Sequence, residues 1–402
     1  MRVIESSAFV AVPMAGMTLS QMGAEVIRFD RLEGGLDARR MPYSPSGSSL
    51  FWSGMNKGKK SIAVDMKNPE GKDLITNLIT APGKDAGLFL TNLKVKGWLD
   101  YETLSELRSD IIIVTLKGDR QGRPQVDYTV NPALGIPEIT GHEGSTEPVA
   151  NAIPAWDMIA GNMCVSSLLA AERYRLRHGV GQDVEIALKD VAAAAIGHLG
   201  MIADSTLNTD DRSKAGNALY GAYGKDFLCA DGNRVMIIGL TSRQWSGILK
   251  ATDTTEQFKN LENEKNINLK DEATRWKWRH EITAILEPWF KTRAVEDFAR
   301  DFDNTGLTWS VFRSVKEALE FDPDLSEDNP LFKKIKQPEA GEFLVPRHPA
   351  NFSKVDNTEA KGAPALGEHT EEILGDILHL SDIEISNLFD KGVVASPTYN
   401  KN

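Results

Sequence analysis

Cysteine is nearly missing: the 402 residues hold two, Cys164 and Cys229. Two thiols cannot form a disulfide framework, and such sparing use fits a reducing cytoplasm. Long apolar runs are missing as well. None reaches the ~18 residues that a membrane span needs, and the opening MRVIESSAFVAVPMAG lacks the charged region and cleavage site of a signal peptide. The expectation is a cytoplasmic protein with no membrane partner. The common chemical motifs are absent too: no G-x-x-x-x-G-K-[ST], no G-x-G-x-x-G after a strand, no H-E-x-x-H, no C-x-x-C and no G-x-S-x-G. The seven histidines are scattered without ligand spacing, which speaks against a metal site. A formal net charge of −11 argues against a general nucleic-acid binder.

What is present is a soluble globular balance, 41% hydrophobic and 26% charged, over a length that calls for two domains or one large one with a subdomain. Short β-branched runs alternate with helical stretches through the first half: RVIES, EVIRFD, SIAVDM, GLFLTN and IIIVTLKG as strands, with helices near 13–22, after Asn68-Pro69 and over 101–110. Asn68 is a good N-cap with proline at the first helical position. Strands spaced by helices imply a parallel sheet with right-handed crossovers. A long helix runs from Asp157 to about His178, followed by the strand DVEIAL. Composition shifts near 205. FLCADGNRVMIIG reads as a hairpin turning at Asp231-Gly232-Asn233, and charged helices follow, so 205–329 reads as a smaller α+β domain. Two more helices are expected at 367–378 and 381–391.

Two features bear on chemistry. Arg28, Arg31, Arg39, Arg40, Lys57, Lys59 and Lys60 cluster in sequence. They form either a solvated face or a local patch, opposed to the global charge, that takes an anionic small ligand. The second is Asp157, in AIPAWDMIAGNM, an acid between apolar neighbours. It reads either as a helix-start acid, stabilised by the dipole by ~0.3–1 kcal/mol, or as a partly desolvated carboxylate kept ionised by the helix terminus and usable as a nucleophile. Gly161, one turn on, would leave room for a ligand. Gly216, Gly221 and Gly224 in GNALYGAYG read as turn and packing glycines rather than a phosphate cradle.

Five stretches in order resemble the class III CoA-transferases, the family that also contains α-methylacyl-CoA racemases. MTLSQMGAEVIRFDR resembles its opening helix and strand, and MNKGKKSIAVDMKNPEGKDL its N-x-x-K-x-S-I segment. DMIAG resembles the D-x-x-x-G signature of the catalytic aspartate, and GQDVEIALKD and ALGEHTEEIL two further blocks.

The resemblance implies an α/β fold. Its large Rossmann-like domain spans 1–204 and is completed by 330–402; the smaller α+β domain spans 205–329; two ring-like chains interlock as a homodimer. It implies an acyl-CoA substrate, with coenzyme A entering as part of it and no tightly bound cofactor, and Asp157 as the catalytic nucleophile. Val10 and Ala11 fall on the loop beside CoA, Arg31 on a nucleotide contact, Lys59 in the basic segment, and Asn92-Leu93 on the family's N-F pair, with leucine in place of phenylalanine. The glycine-rich lid of formyl-CoA-type members has no counterpart here. The racemase histidine falls on Val126, which cannot carry a proton. VDYTVNP, PAWDMIAGNM, IGHLGMIA and NALYGAYGKDF resemble members that move CoA between the two carboxyls of one C5 dicarboxylate. Tyr128, Tyr220 and Tyr223 are the hydroxyls expected to hold the second carboxylate. Transfer to an external acid, racemisation and non-catalytic acyl-CoA binding are the alternatives.

Overall fold

The computed structural model describes residues 1–93 and 95–397. Its chain divides into two compact units, one of residues 1–134, 151–207 and 323–402, the other of 135–150 and 208–322.

In the first unit, β1 (Arg2–Ser6), β2 (Glu25–Asp30), β3 (Lys60–Val64), β4 (Leu88–Thr91), β5 (Ile112–Lys117) and β6 (Gln182–Ala187) are all parallel. They lie in the order β3-β2-β1-β4-β5-β6, and a short antiparallel strand from the chain's far end, Val394–Ala395, pairs with β3. β1 to β5 are almost wholly buried because both faces of the sheet are covered. Helix Pro69–Thr80 presents Leu74, Ile75, Leu78 and Ile79 to Ile4, Ile27, Phe29, Ile62 and Phe89, and the C-terminal helix Thr370–Asp376 adds Ile373 and Leu374. Helices Ala11–Gln21 and Ala155–His178 pack against β2, β4, β5 and β6. The Asn68 side chain accepts the Glu70 amide at 3.0 Å, capping the helix that Pro69 opens. Winding reverses between β1 and β4, the switch point at which open α/β sheets bind ligands.

The second unit holds the hairpin β7 (Tyr223–Leu228) and β8 (Arg234–Gly239), turning at Asp231-Gly232-Asn233 with Gly232 at φ +81°, and a third strand, β9 (Thr308–Val311). Phe227, Trp245, Phe258, Phe290 and Phe302 fill its core. Residues 135–150 belong here, a placement the composition shift near 205 does not signal. The ammonium of Lys214 ties them in, donating to the carbonyls of Thr140 (2.9 Å) and Pro137 (3.3 Å) and to that of Glu147.

One helix–helix approach in the first unit is unusually close. A Cβ at Gly161 would lie 2.7 Å from the Ala11 carbonyl oxygen and 3.0 Å from Met14 Cε. The glycine is therefore taken up by the helix Ala11–Gln21, not by a ligand as the sequence suggests. The outer face of the long helix stays open. Met158, Ile159 and Met163 are exposed, as are Leu199 and Ile202 nearby, and helix Met201–Leu207 buries no residue at all.

Gly161→Ala should lower stability by roughly 1–3 kcal/mol from overpacking, less the ~1 kcal/mol that alanine gains in a helix. Thermal melting would read this as a lowered Tm. A Tm at or above wild type would mean the two helices separate freely.

Candidate active site

The sheet's carboxyl edge opens on a cavity of about 460 Å³. Its walls come from the ends of four strands: Ala8–Ala11 after β1, Asn92-Leu93 after β4, Thr115 to Val126 at and after β5, and Leu188 after β6, with Asp157 reaching in from the long helix. Val10 and Ala11 thus stand beside Asp157, and the Gly161 contact fixes that neighbourhood, since it joins the first turn of one helix to the second turn of the other.

The β1 loop is held under backbone strain. Phe9 has φ 69°, a left-handed conformation that is rare for an aromatic residue and recurs at functional sites. Asn92 pins this loop at two points: its Oδ1 accepts the Ala8 amide at 3.0 Å and its Nδ2 donates to the Ala8 carbonyl at 2.9 Å. The side chain expected to touch CoA is therefore engaged in shaping the cavity. Leu93 is exposed on the wall, and the Arg40 guanidinium lies 5.5 Å from the Phe9 ring centre.

Lys59 departs from the expected ligand contact. It is fully buried, and its ammonium donates to Glu5 Oε1 (2.8 Å), the Pro13 carbonyl (2.8 Å) and Asn56 Oδ1 (2.9 Å). Three donors meet three acceptors, so none is left for a phosphate. Burial, partly offset by Glu5, pushes this ammonium down to about 8. Arg28 is buried beside it, forked onto Asp30 and Asp37. Lys60 pairs with Glu25 and Glu372. Only Arg31, Arg39 and Arg40 of the sequence cluster are exposed. Arg31 follows the end of β2 and is not among the residues lining the cavity.

The tyrosines fall in different places. Tyr128 is exposed on the short helix Asp127–Ala133, beside the wall residue Val126. Tyr220, in the second unit, is exposed and carries the Arg212 guanidinium 3.4 Å over its ring. Tyr223 is a core residue of that unit, 1% exposed, its hydroxyl 3.0 Å from Thr283 Oγ1. Such a hydroxyl is committed to the interior, unlike the substrate contact expected of it.

Asp157 is half-buried, in the first turn of a helix whose N-cap is Pro154. Proline has no side-chain acceptor, so the first amides need one from elsewhere. The buried Asp127 supplies it. One carboxylate oxygen accepts both the Trp156 amide (2.7 Å) and the Asp157 amide (3.2 Å). Four residues on, Asn131 Oδ1 accepts the Trp156 indole N–H at 2.9 Å. The helix terminus is thereby neutralised by a second acid, and it does not hold Asp157 in the ordinary carboxylate range. Desolvation, then the charge of Asp127, push Asp157 up to about 6. It is still mostly ionised at neutral pH, and more basic than a free carboxylate. The cations on the cavity wall are paired: Lys117 with Glu185, and Arg123 with Asp119. The sequence reading did not reach Asp127 and Asn131. Their i, i+4 spacing, and a helix begun at proline without its own cap, are the signals that point to them.

Among the described residues no group of three or more His, Cys, Asp or Glu is arranged to hold a metal ion, and no helix is long and apolar enough to cross a membrane.

A strand-switch cavity lined by a carboxylate of raised pKa is a setting suited to nucleophilic chemistry, and known proteins provide the comparison. The chain belongs to CoA-transferase family III, whose profile it matches over residues 1–370. It is 50% identical over 398 residues to 2-methylfumaryl-CoA isomerase of Chloroflexus aurantiacus, a match covering 99% of this chain and 97% of that one. It is 26% identical over 406 residues to succinyl-CoA:glutarate CoA-transferase of Homo sapiens, covering 98% and 89%. Among solved structures, a CaiB/BaiF family protein from Brucella suis matches with a TM-score of 0.75 at 23% identity, over 94% of this chain and 98% of that one. That likeness shows a shared α/β fold.

A buried acid with a raised pKa favours the folded state least when it is ionised. The cost is absent below about pH 3, where both states are protonated, grows as pH rises through the ordinary carboxylate range, and is complete above about pH 7. Asp157→Asn should therefore melt higher than wild type at pH 7, by on the order of 2 kcal/mol, with the difference vanishing toward pH 3. The same difference at pH 7 and pH 3 would show that Asp157 titrates normally.

Proposed function

We propose that this protein moves coenzyme A within one molecule, from the C1 to the C4 carboxyl of 2-methylfumaryl-CoA (mesaconyl-CoA), giving 3-methylfumaryl-CoA. The observation that carries the reading is the 50% identity to 2-methylfumaryl-CoA isomerase across nearly the whole chain, with Asp157 of the DMIAG stretch lining the cavity at the sheet's switch point.

In this reading an Asp157 oxygen attacks the thioester carbonyl, the C–S bond breaks, and a mixed anhydride forms with release of CoA thiolate. The thiolate attacks the aspartyl carbonyl, making an aspartyl-CoA thioester and freeing the dicarboxylate. The other carboxyl of that diacid attacks the aspartyl thioester and expels thiolate again. The thiolate then takes the new acyl carbonyl and returns Asp157 as a carboxylate. No electron pair is gained or lost over the cycle, and coenzyme A enters only as part of the substrate. An aspartate with a raised pKa suits both halves: it is the better nucleophile, and still ionised near neutrality. Val126, on the wall where a racemase-type histidine would stand, offers no proton carrier, and this favours transfer over racemisation.

We further propose that a second copy of the chain covers the open face of the long helix. Exposed large apolar side chains grouped on one face mark a surface for association, and Met158, Ile159 and Met163 extend the apolar surface that Trp156, Ala160 and Val165 turn inward. Light scattering after size exclusion should give twice the chain mass at micromolar concentration. A monomer mass would overturn this reading.

Supplied with 2-methylfumaryl-CoA alone, the enzyme should form 3-methylfumaryl-CoA with no added acid. A diacid held beside the aspartyl thioester has an effective molarity that can reach roughly 10⁵ M. Labelled free mesaconate at millimolar concentration should therefore enter the product far more slowly than isomerisation proceeds. Entry at the isomerisation rate, or no product until a second acid is added, would mean transfer between molecules.

A further inference from the structure

We infer that Asp127 is a positioning residue for the nucleophile: by accepting the amides of Trp156 and Asp157 it fixes the turn from which Asp157 enters the cavity. The inference rests on Asp157 being the nucleophile, as proposed above, though not on the identity of the acyl group.

The geometry singles out Asp127. It is 2% exposed, and its Oδ2 is the acceptor that the Pro154-capped helix lacks. Asn131, on the same face of the short helix, holds the Trp156 indole and is itself approached by Asn151 Nδ2 at 3.4 Å. Backbone and side chain of Trp156 are thus both gripped by one helix, and the next residue in sequence is the nucleophile. Trp156 is buried, so the turn has an apolar anchor as well as a polar one. A carboxylate used for this purpose brings a charge, and that charge acts on Asp157. An uncharged acceptor such as asparagine can cap a helix equally well. The choice of an acid therefore has a separate effect, keeping the nucleophile more basic than its burial alone would.

Other ionisable groups lie on the elements around Asp127. Tyr128 neighbours it on its own helix. The helix Leu188–His198, packed on the same side, carries Lys189, Asp190 and His198. On the long helix the acid of the first turn is Asp157. Among the described residues, Asp127 is the one charge that acts appreciably on the Asp157 carboxyl.

Capping and charge separate in two variants. Asp127→Asn keeps an acceptor oxygen and removes the charge. Asp127→Ala removes both. In turnover of 2-methylfumaryl-CoA, Asp127→Ala should lose kcat about a hundredfold, the usual consequence of a reacting group displaced by about 1 Å, with KM changed less than threefold. Asp127→Asn should restore most of that kcat and move the acid midpoint of the kcat pH profile downward from wild type. The second readout needs no substrate. The melting advantage of Asp157→Asn over Asp157, followed against pH, should begin at the same pH but level off at lower pH and be smaller in the Asp127→Asn background. Equal loss of kcat in both variants, or kcat within twofold of wild type in Asp127→Ala, would overturn the positioning role. An unmoved pH dependence in Asp127→Asn would overturn the effect of its charge. If Asp127→Ala does not fold, Asp127→Asn and its pH-dependent melting decide the matter. If wild type turns over no acyl-CoA, the proposed function fails, while the melting experiment still reports whether Asp127 acts on Asp157.

Discussion

The contact between the Gly161 backbone and the Ala11 carbonyl sets the geometry of everything around the cavity. Two helices that belong to distant parts of the sequence are brought within backbone distance, and only a residue without a Cβ permits it. One of them starts where β1 ends, and the other carries Asp157 a turn before the contact. The strained loop at Phe9, pinned to the end of β4 by Asn92, is thereby held beside Asp157. Behind it, Glu5, Arg28, Asp30, Asp37, Asn56 and Lys59 interlock, so that the ends of β1 and β2 and the segments near 37 and 56–59 are tied together. A buried network of this kind contributes little net stability compared with apolar packing. What it provides here is a fixed relation among loops that would otherwise move independently.

Two acids share the start of the long helix, and their roles diverge because their surroundings do. Asp127 is enclosed and accepts backbone donors; Asp157 faces the cavity and loses solvation without gaining comparable donors. The helix terminus donates to Asp127, which does not line the cavity. Asp157, which does, is left more basic than a free carboxylate, the property that the role proposed for it requires.

Much of the fold was legible in the sequence. Five of the parallel strands stand out as short runs between helical stretches, IIIVTLKG most clearly as a β-branched one, and their spacing by helices carries the parallel arrangement. Asn68-Pro69 and Asp231-Gly232-Asn233 mark a helix start and a hairpin turn by local chemistry alone. The far strand Val394–Ala395 is too short to leave a pattern, and residues 135–150 join the second unit through a lysine that meets only backbone carbonyls, which no side-chain pattern encodes. Within the site, Asp157 stood out by its setting. Lys59 looked like a ligand because sequence shows charge but not burial, and the three acceptors around it come from residues 5, 13 and 56. Gly161 signalled space without saying what fills it. Asp127 was hidden because a cap supplied from another helix has no fixed spacing to the helix it caps.

The pairing of β3 with residues 394–395 also has a bearing on biosynthesis. Strands β1 to β6 are complete once residue 187 has left the ribosome, and the sheet can then assemble with the cavity lining already in place. Its outer strand β3 nevertheless keeps an open hydrogen-bonding edge until residues 394–395 have been made. Edges of this kind recruit other strands, and nascent intermediates with unpaired edges are prone to aggregate. The interval between forming the sheet and adding this last short strand is therefore a stretch of synthesis in which the whole edge of β3 stands open to other strands.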